Sequence, residues 1–258
     1  MTRIATFNIN GIRARLPRLL EYLAREQPDI ACLQELKCAD ESLPIGDIEA
    51  AGYHAVWHGQ KGFNGVAILS RGIAPVLRQV GLPGDPDDSH SRYLEAEARG
   101  LVVASIYLPN GNPIGTDKFD YKLRWMKRLK ARAKQLLAEE RPVVLAGDFN
   151  VIPEDHDTFS RRAMADDALF QPESQAAFRA VLNQGWTDAL RTVHPDEPRL
   201  FTFWDYQAGA WARDAGFRID HFLLSPQAAD RLAGCEVHKW ARAEEKASDH
   251  APVMLELS

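Results

Sequence analysis

Cysteine is scarce in this 258-residue sequence, which contains only Cys32, Cys38 and Cys235. Their number is odd and none forms a CxxC or CxxH pair, which argues against a disulfide framework and against a zinc site built on paired thiolates. Cys32 lies in an apolar run and is interpreted as a core residue rather than a nucleophile. Because reduced cysteines are typical of the cytoplasm, a cytoplasmic location is expected.

Long apolar segments are absent as well. No uninterrupted apolar run approaches the length that spans a bilayer, and the first residues are typical of a strand rather than a signal segment. The sequence also contains no repeat, low-complexity linker or break in composition. We therefore expect a soluble protein with no membrane partner, in which residues 1–258 form one domain.

Positive charge is not in excess, since the formal net charge is −5. This value does not exclude a nucleic-acid partner, because whole-chain charge governs solubility more than it identifies a binding face. The segment from Lys118 to Lys134 contains eight lysines and arginines. Apolar residues recur there at three- and four-residue steps, so the basic residues are interpreted as the solvated face of a helix that packs on a core.

The sequence does contain short apolar strands that alternate with amphipathic helices over its whole length. Five strand-like segments between Val56 and Tyr107 are separated only by turns, which indicates antiparallel meanders. The predicted fold is α/β, a four-layer sandwich of two packed mixed β-sheets flanked by helices. Outside that meander, the predicted strands are Ile4–Phe7, Ile30–Leu33, Val143–Ala146, Ile219–Leu224 and Val253–Leu257. Within it they are Val56-Trp57, Val66–Leu69, Val76–Val80, Leu94–Ala98 and Val102–Tyr107, and the predicted helices are Arg13–Glu26, Asp117–Glu139 and Glu173–Gln184.

Polar residues able to bind a metal stand next to five of these strands. Loops beyond strand ends converge on one crevice in open α/β sheets, so we expect these groups to meet there. A further acidic residue, Asp220, alternates with apolar residues inside a strand. The five segments are Phe7–Gly11, Leu33–Glu35, Tyr107–Gly111, Ala146–Asn150 and Ser248–Pro252.

The residue types in these segments indicate the chemistry. Glu35 and Asp249 offer hard oxygen ligands, which suit Mg²⁺ or Mn²⁺ better than zinc. Asp148 and Asn150 are two residues apart, so in an extended segment they would project the same way and meet one small group such as a water molecule. His250 can donate to a phosphate oxygen near neutral pH if a carboxylate holds its ring.

Each candidate also has a structural interpretation. Asn150 suits a turn, Glu35 suits a solvated loop, and Tyr107 suits a core strand. His54 and His58 are four residues apart, a spacing that places side chains on one face only in a helix. Because their segment is strand-like, they are interpreted as structural or surface residues rather than metal ligands.

The ordered combination of motifs distinguishes between these interpretations. An early Asn–Gly pair is followed by LQE, YxPNG, GDxN, RID and SDHAP in one chain. This set resembles the exonuclease III–AP endonuclease branch of the endonuclease/exonuclease/phosphatase superfamily, from Ile4 to Leu257. The tyrosine of YxPNG favours this branch, because DNase I-like enzymes use a histidine around that strand. The resemblance implies a DNase I-like fold and a DNA-repair nuclease that cuts on the 5′ side of abasic (AP) sites, with 3′-phosphodiesterase and 3′–5′ exonuclease activities.

The same resemblance implies a metal site. The cofactor is expected to be Mg²⁺, with Mn²⁺ as a substitute and no small-molecule cofactor. Glu35 resembles the main metal carboxylate, and Asn8 and Asp249 lie near the ion directly or through water. Asp148 and Asn150 belong to the implied metal set too. Asp148 would orient or deprotonate the attacking water, and Asn150 would help to position it.

Hydrogen-bond donors to the phosphate are implied as well. His250, held by Asp220, would donate to a non-bridging oxygen, as would Tyr107 and Asn8. The implied reaction is in-line hydrolysis of a phosphodiester without a covalent intermediate.

The implied partner is double-stranded DNA with abasic sites or blocked 3′ ends, bound by a monomer. Phe203, Phe217 and Ile219 resemble residues that wall the pocket for a flipped-out abasic sugar, although each also suits a core. Trp211 lies in a loop that is a candidate for entering the duplex groove. Candidate phosphate contacts are Lys61, Asn64, Arg92 and Asn110.

Two departures from the family pattern stand out. Leu36 replaces the threonine that many relatives have beside the metal carboxylate, and His156–Phe170 resembles no single relative closely. The second departure leaves open the balance between abasic-site cleavage, 3′-end trimming and exonuclease activity. Two alternatives remain: a same-fold phosphodiesterase or phosphatase acting on a non-DNA phosphoester, and a non-catalytic binding module. The module would have lost catalytic residues, yet all are present.

Overall fold

The computed structural model describes residues 1–258. It confirms the three predicted helices, with every end within two residues of the prediction, and it adds four short helices and two strands that the sequence did not reveal. None of the helices is long and apolar enough to span a membrane. The strands are β1 Thr2–Asn8, β2 Ile30–Gln34, β3 Tyr53–His58, β4 Val66–Arg71, β5 Val76–Val80, β6 Tyr93–Ala98, β7 Leu101–Tyr107, β8 Val143–Asp148, β9 Thr187–Asp188, β10 Asp220–Leu224, β11 Leu232–Val237 and β12 Val253–Leu257. The helices are α1 Ile12–Glu26, α2 Ile45–Ala50, α3 Asp117–Leu137, α4 Pro172–Leu182, α5 Ala189–Val193, α6 Pro226–Ala229 and α7 Lys239–Ala243.

The strands form two mixed six-stranded sheets, in the orders β11-β12-β1-β2-β4-β3 and β5-β6-β7-β8-β10-β9. One pair in each sheet is parallel, β1 with β2 and β7 with β8, and the remaining pairs are antiparallel. The predicted meander is split between the sheets, because β3 and β4 pair in the first sheet while β5, β6 and β7 pair in the second. Residues 72–75 carry the chain across.

Alternation of side chains along the strands gives each sheet two buried faces. The inner faces enclose a cluster of 22 buried hydrophobic residues, to which Ile4 and Ile68 contribute from the first sheet and Val144 and Phe222 from the second. The outer face of the first sheet packs against α1 and α2, and that of the second packs against α3 and α4. The result is the predicted four-layer α/β sandwich.

The basic segment forms helix α3, whose buried face includes Trp125, Met126 and Leu129. The prediction that its basic residues are solvated is right for Arg124 and Lys127, which are exposed. It is wrong for Lys122, whose side chain is fully buried.

The two parallel strand pairs bring the predicted polar segments to one edge of the sandwich. In the first sheet Asn8 ends β1 beside Gln34, the last residue of β2. In the second sheet Tyr107 ends β7 beside Asp148, the last residue of β8, and the antiparallel β10 begins there with Asp220. Because both sheets end at the same edge, residues far apart in the sequence meet between them.

Candidate active site

The side-chain amide of Asn8 joins the two sheets at this edge. Its Nδ2 atom donates to Oε1 of Glu35 at 2.9 Å and to Oδ2 of Asp148 at 2.9 Å. Ligand atoms of Glu35, Asp148 and His250 all lie within 4.8 Å of one another. Two carboxylates that accept from one nitrogen form a compact group of oxygen atoms.

Glu35 follows β2 in a left-handed backbone conformation, with φ of 53°. This conformation turns the chain directly after the strand. Oε2 of Glu35 accepts a hydrogen bond from Nζ of Lys37 at 2.8 Å. Burial by itself raises the pKa of Glu35, but the hydrogen bonds from Lys37 and Asn8 outweigh it and lower the pKa. Glu35 is therefore ionised at neutral pH.

The pairing of Asp148 with Asn150 is correct, but the reason predicted for it is wrong. The segment is not extended, since Asn150 has a φ of 47° and its backbone N–H donates to Oδ1 of Asp148 at 2.9 Å. This turn, rather than strand alternation, brings both side chains to one side. Nδ2 of Asn150 donates to the Leu108 carbonyl at 2.9 Å. Its Oδ1 accepts from Nδ2 of Asn110 at 3.2 Å.

His250 is buried and is held by Asp220, as the resemblance implied. Its Nδ1 lies 2.8 Å from Oδ2 of Asp220, and its Nε2 lies 3.8 Å from Oδ2 of Asp148. Burial alone lowers the pKa of His250, but Asp220 and Asp148 raise it to about 10. Nδ1 then donates to Asp220, and the protonated Nε2 remains a donor for a bound group.

The environment of Asp148 has the opposite effect on a carboxyl group. Burial raises the pKa of Asp148, the nearby carboxylates of Asp220 and Glu35 raise it further, and His250 lowers it. The net direction is upward. A carboxyl group whose pKa is raised toward neutrality is a better proton acceptor than an exposed aspartate.

Tyr107 presents a neutral hydroxyl group to the same space. Burial raises its pKa well above 10, and the charges of Glu35 and Asp148 raise it further. The Arg92 guanidinium lies 4.8 Å from the centre of the Tyr107 ring, and its Nη1 donates to the Tyr107 carbonyl at 3.3 Å. Arg92 therefore orients Tyr107, and the hydroxyl group acts as a donor.

Asp249 lies at the rim, outside the compact carboxylate group. Its Oδ1 accepts from Nδ2 of Asn10 at 2.9 Å. Ser248 anchors this segment to β1, because its hydroxyl donates to the Asn8 carbonyl at 2.6 Å. Asp249 nevertheless lines the same cavity as Glu35.

A cavity of about 230 Å³ opens beside these groups. The Phe203 and Phe217 rings pack at a tilt with centres 4.7 Å apart, and the Phe203 and His250 rings pack at a steep angle with centres 5.0 Å apart. Ile219 is buried behind them. All three predicted wall residues therefore line the cavity. The full lining is Glu35, Tyr107, Asn110, Asp148, Asn150, Asp167, Leu169, Phe203, Asp205, Phe217, Ile219, Asp249 and His250.

The remaining predicted substrate contacts lie outside the cavity. Trp211 packs edge-on against Trp204, with ring centres 4.8 Å apart. Lys61 is exposed. Asn64 is buried and donates to Oε1 of Gln60 at 2.7 Å, so its side chain holds the glycine-rich loop together.

Several residues at the site were missed as candidates. Lys37 contacts the main carboxylate and stands two residues after it in the sequence, which is the signal that could have revealed it. Asp167 and Leu169 line the cavity from the segment that resembles no relative closely. Lys122 donates to the carbonyls of Asn110 and Asn150. Its place on the apolar stripe of α3 was a usable signal.

The donor set fits a divalent cation. Glu35 and Asp148 supply hard carboxylate oxygens, as Mg²⁺ and Mn²⁺ prefer. The raised pKa of His250 favours the protonated ring, and its Nδ1 lies against Asp220, so it is better suited to donate a hydrogen bond than to bind a metal. The Asn8 amide nitrogen holds the two carboxylates together, and its Oδ1 accepts from the backbone N–H of Asn10 at 3.1 Å.

The chain matches the model of the endonuclease/exonuclease/phosphatase family over residues 5–250. It is 34% identical to exodeoxyribonuclease III of Haemophilus influenzae, with 98% of this chain and 99% of that protein covered. It is 31% identical to an exodeoxyribonuclease of Bacillus subtilis, with 98% of each covered. The DNA repair nuclease APEX1 of Danio rerio is 32% identical, with 99% of this chain and 82% of that protein covered.

Solved structures agree with this assignment over the whole chain. An AP endonuclease from Archaeoglobus fulgidus superposes with a TM-score of 0.95 at 37% identity, and all of both chains is covered. The 3′ phosphatase NExo from Neisseria, bound to a product DNA hairpin, superposes with a TM-score of 0.96 at 36% identity, again over all of both chains. The two six-stranded sheets are thus those of the AP endonuclease fold.

Proposed function

The chain belongs to the endonuclease/exonuclease/phosphatase family, and we propose that it is a magnesium-dependent DNA-repair nuclease that cuts duplex DNA on the 5′ side of abasic sites. Relatives named for DNA repair and for exodeoxyribonuclease activity support DNA as the substrate. A similar structure with a bound DNA hairpin supports it as well.

One observation carries the proposal: Asn8 bridges two carboxylates directly beside the His250–Asp220 pair and a small cavity with an apolar wall. The carboxylates suit a metal and an attacking water, and the histidine suits a phosphate oxygen. The cavity suits a sugar that has lost its base. A binding module or a purely structural cluster would have no need of this combination.

Each residue of the site has its own role in the proposed hydrolysis. A bound Mg²⁺ ion on Glu35 would polarise the phosphate and offset its developing negative charge. Asp148 accepts the proton of the attacking water, and its raised pKa suits that task. Asn150, fixed by the Leu108 carbonyl, orients the same water. His250 donates from Nε2 to a non-bridging phosphate oxygen.

Tyr107 supplies a second donor to the phosphate. Its hydroxyl group stays neutral over the physiological range, because its pKa is raised well above 10. Neither donor becomes covalently attached to the substrate, so the reaction proceeds by direct in-line attack of water. Asp249, held by Asn10, would help Glu35 to hold the Mg²⁺ ion.

The cavity supports selection of abasic sites. A deoxyribose without a base can fit against Phe203, Phe217 and Ile219, whereas an intact nucleotide is too bulky for a space of about 230 Å³ that also holds the phosphate. We further propose 3′-end trimming and 3′–5′ exonuclease activity at the same site. We also propose that residues 1–258 act as one domain and as a monomer, with Lys61, Arg92, Asn110 and Trp211 at the DNA.

The test is incision of a labelled duplex that carries one abasic-site analogue, compared with an intact duplex. We expect a nick on the 5′ side of the lesion with Mg²⁺ and none with EDTA. Asp148→Asn should lower the rate by about 10³, because the proton acceptor is lost. The control Asp230→Asn changes an exposed carboxylate far from the site and should leave the rate unchanged.

Other outcomes would redirect the assignment. Degradation from 3′ ends without incision at the lesion would restrict the protein to exonuclease and 3′-trimming activity. Hydrolysis of a phospholipid or a small phosphomonoester, with no DNA cleavage in any metal, would favour the same-fold enzyme acting on a non-DNA phosphoester. DNA binding without cleavage of any phosphoester would indicate a binding module.

A further inference from the structure

Lys122 places its amino group in the interior of the molecule, and the proposed reaction leaves it without a role. Burial lowers the pKa of Lys122 to about 7, although the charges of Asp167 and Asp148 raise it. Its exposure is 0%. It lies on the buried face of α3 beside Trp125 and Met126. Burying an ammonium group costs free energy unless hydrogen bonds and charges compensate it. A methionine of similar length would avoid that cost, so a charge at this position calls for an explanation.

The partners of Lys122 are two backbone carbonyl groups rather than a carboxylate. Nζ donates to the oxygen of Asn110 at 3.0 Å and to the oxygen of Asn150 at 2.5 Å. Asn110 lies in the loop after β7, and Asn150 lies in the loop after β8. One buried ammonium therefore links the backbones of two loops that no strand pairing holds together at that point.

The same two residues are paired on the cavity side. Nδ2 of Asn110 donates to Oδ1 of Asn150 at 3.2 Å, and the backbone N–H of Asn150 donates to Oδ1 of Asp148. Asn150 adopts a left-handed conformation. The Lys122 ammonium thus supports, from beneath, the peptide units whose side chains line the cavity.

The chain packs closely around the lysine stem at Gly111. A Cβ atom built on Gly111 would lie 2.6 Å from Cδ of Lys122, and the backbone there has a φ of 90°. No other residue type would fit without a shift of the loop or of the lysine side chain. The glycine of the PNG motif is therefore matched to the lysine, which is an observation independent of the hydrogen bonds.

We propose that Lys122 is a positioning residue, whose ammonium ties the two loops together and so holds Asn110 and Asn150 in place beside Asp148. This inference rests on the proposed function, because it assumes that Asn150 orients the attacking water. Lys122 does not touch the substrate. Its loss should therefore affect the chemical step, which depends on Asn150, more than the binding of DNA, to which Asn110 contributes one contact among several.

The experiment compares Lys122→Met and Lys122→Arg with the control Lys127→Met, which removes an exposed lysine of the same helix. We measure kcat and KM on the abasic duplex with Mg²⁺, DNA affinity in EDTA, and thermal unfolding. Lys122→Met should lower kcat by about 100-fold, since small misplacements of reacting groups have effects of this size. KM and the EDTA affinity should change by less than about threefold, since these report binding.

Lys122→Arg keeps a charge and donors, so it should regain part of the lost kcat, and Lys127→Met should match the wild type. A folded Lys122→Met with kcat within about threefold of the wild type would overturn the inference. So would an arginine variant no better than the methionine variant. If Lys122→Met does not fold at the assay temperature, the arginine variant decides. Retention of roughly a tenth of wild-type kcat then supports the inference, and a folded variant that has lost more than about 100-fold contradicts it.

Failure of the proposed function would show differently. In that case the wild type itself would not cut the abasic duplex, and the same variants would be compared on 3′-end degradation or on whichever phosphodiester the wild type hydrolyses. The ratio of variant to wild type then tests Lys122 independently of the substrate.

Discussion

Two clusters of buried charge lie on opposite sides of strand β10 and differ in their charge balance. The site cluster consists of Glu35, Asp148, Asp220 and His250, with Lys37 bonded to Glu35 at its edge. Burial raises the pKa of Asp148, and the charges of Asp220 and Glu35 raise it further. Three carboxyl groups therefore face one imidazole and one ammonium. This cluster is therefore short of positive charge.

The outer cluster consists of Arg191, Arg218, Asp157, Asp188 and His221. Arg218 donates to both oxygens of Asp157 at 2.8 and 2.9 Å and to Asp188 at 2.7 Å, while Arg191 donates to Asp157 at 2.7 Å. Two carboxylates face two guanidinium groups. Although burial by itself raises the pKa values of Asp157 and Asp188, the arginines outweigh it and lower both.

The neighbours Asp220 and His221 show how one strand serves both clusters. Their side chains point to opposite faces, Asp220 toward His250 and His221 toward Arg218 and the ring of Phe178. Burial, reinforced by Arg218, lowers the pKa of His221 to about 4, so this histidine is neutral. Balanced charge makes the outer cluster structural, whereas the deficit in the site cluster leaves room for a cation and a phosphate.

Among the tests of this comparison, we expect the largest loss of stability from Arg218→Met. It leaves Asp157 and Asp188 buried without their main partner, and such a change costs about 3–5 kcal/mol of unfolding free energy. Urea unfolding measures it. The control Arg161→Met removes an exposed ion pair with Asp155 and should cost less than about 1 kcal/mol. Equal losses in the two variants would contradict a structural role for the outer cluster.

A pair of histidine variants tests the division of roles directly. His250→Asn removes the proposed donor to the phosphate, so kcat should fall by about 10²–10³ while the protein remains folded. His221→Asn removes the group that bonds the Val151 carbonyl at 3.0 Å and packs on Phe178. It should lower thermal stability and leave kcat of the folded protein nearly unchanged. The comparison fails if His221→Asn lowers kcat as much as His250→Asn.

The pH dependence of stability should also separate the clusters when EDTA removes metal ions. The folded-state pKa of His250, about 10, lies above its ordinary value of 6.5. Protonated His250 therefore contributes stability that is fully present below pH 6.5 and is lost as the pH rises toward 10. Asp220→Asn should flatten this alkaline decline, because it removes the largest favourable charge.

Asp188→Asn is the matched control for that measurement. The lowered pKa of Asp188 contributes stability above the ordinary aspartate pKa, and this contribution is lost only as the pH falls through the lowered value. The alkaline decline should therefore persist in Asp188→Asn. A decline of equal size in Asp220→Asn and the wild type would show that His250 is not its source.

The smallest effect concerns the added metal. The site cluster has fewer positive than negative groups, so we expect it to bind Mg²⁺. At ten times its Kd, Mg²⁺ should then raise the unfolding free energy of the wild type by about 1.4 kcal/mol. Glu35→Gln should lose most of this gain, and Asp188→Asn should keep it. Thermal unfolding with and without Mg²⁺ measures both. A gain that is unchanged in Glu35→Gln would place the metal elsewhere.

Sequence periodicity predicted the layers well and their connections less well. The strands and the three long helices were predictable because each shows its own alternation of apolar residues. The strand β9 and the four short helices were not, because two residues of strand or less than two turns of helix carry too little periodicity. The strand β11 was missed because a glycine and a register shift interrupt its alternation. The passage of residues 72–75 from one sheet to the other was also not predicted. A turn that connects two strands of one sheet and a turn that connects two sheets have similar sequence patterns.

At the site, the sequence predicted residues that the structure brings together, but it did not predict all of their arrangements. Asn8, Glu35 and His250 were found because polar residues beside apolar strands are a local pattern. The left-handed conformation of Asn150 was missed, because the same short sequence is compatible with a left-handed turn and with an extended segment. The buried position of Asn64 was missed as well, since burial depends on what packs against a loop.

The sequence by itself determined that this chain is a layered α/β protein with metal-competent residues at its strand ends, because residue type and spacing are local properties. Only the tertiary structure decided which charges face one another. It joins Glu35 to Asp148 through Asn8, and it brings Lys122 beneath two loops that lie far apart in the chain. The burial of a residue and the balance of charge around it depend on all of its neighbours in space. The order of residues along the chain does not show which residues those neighbours are.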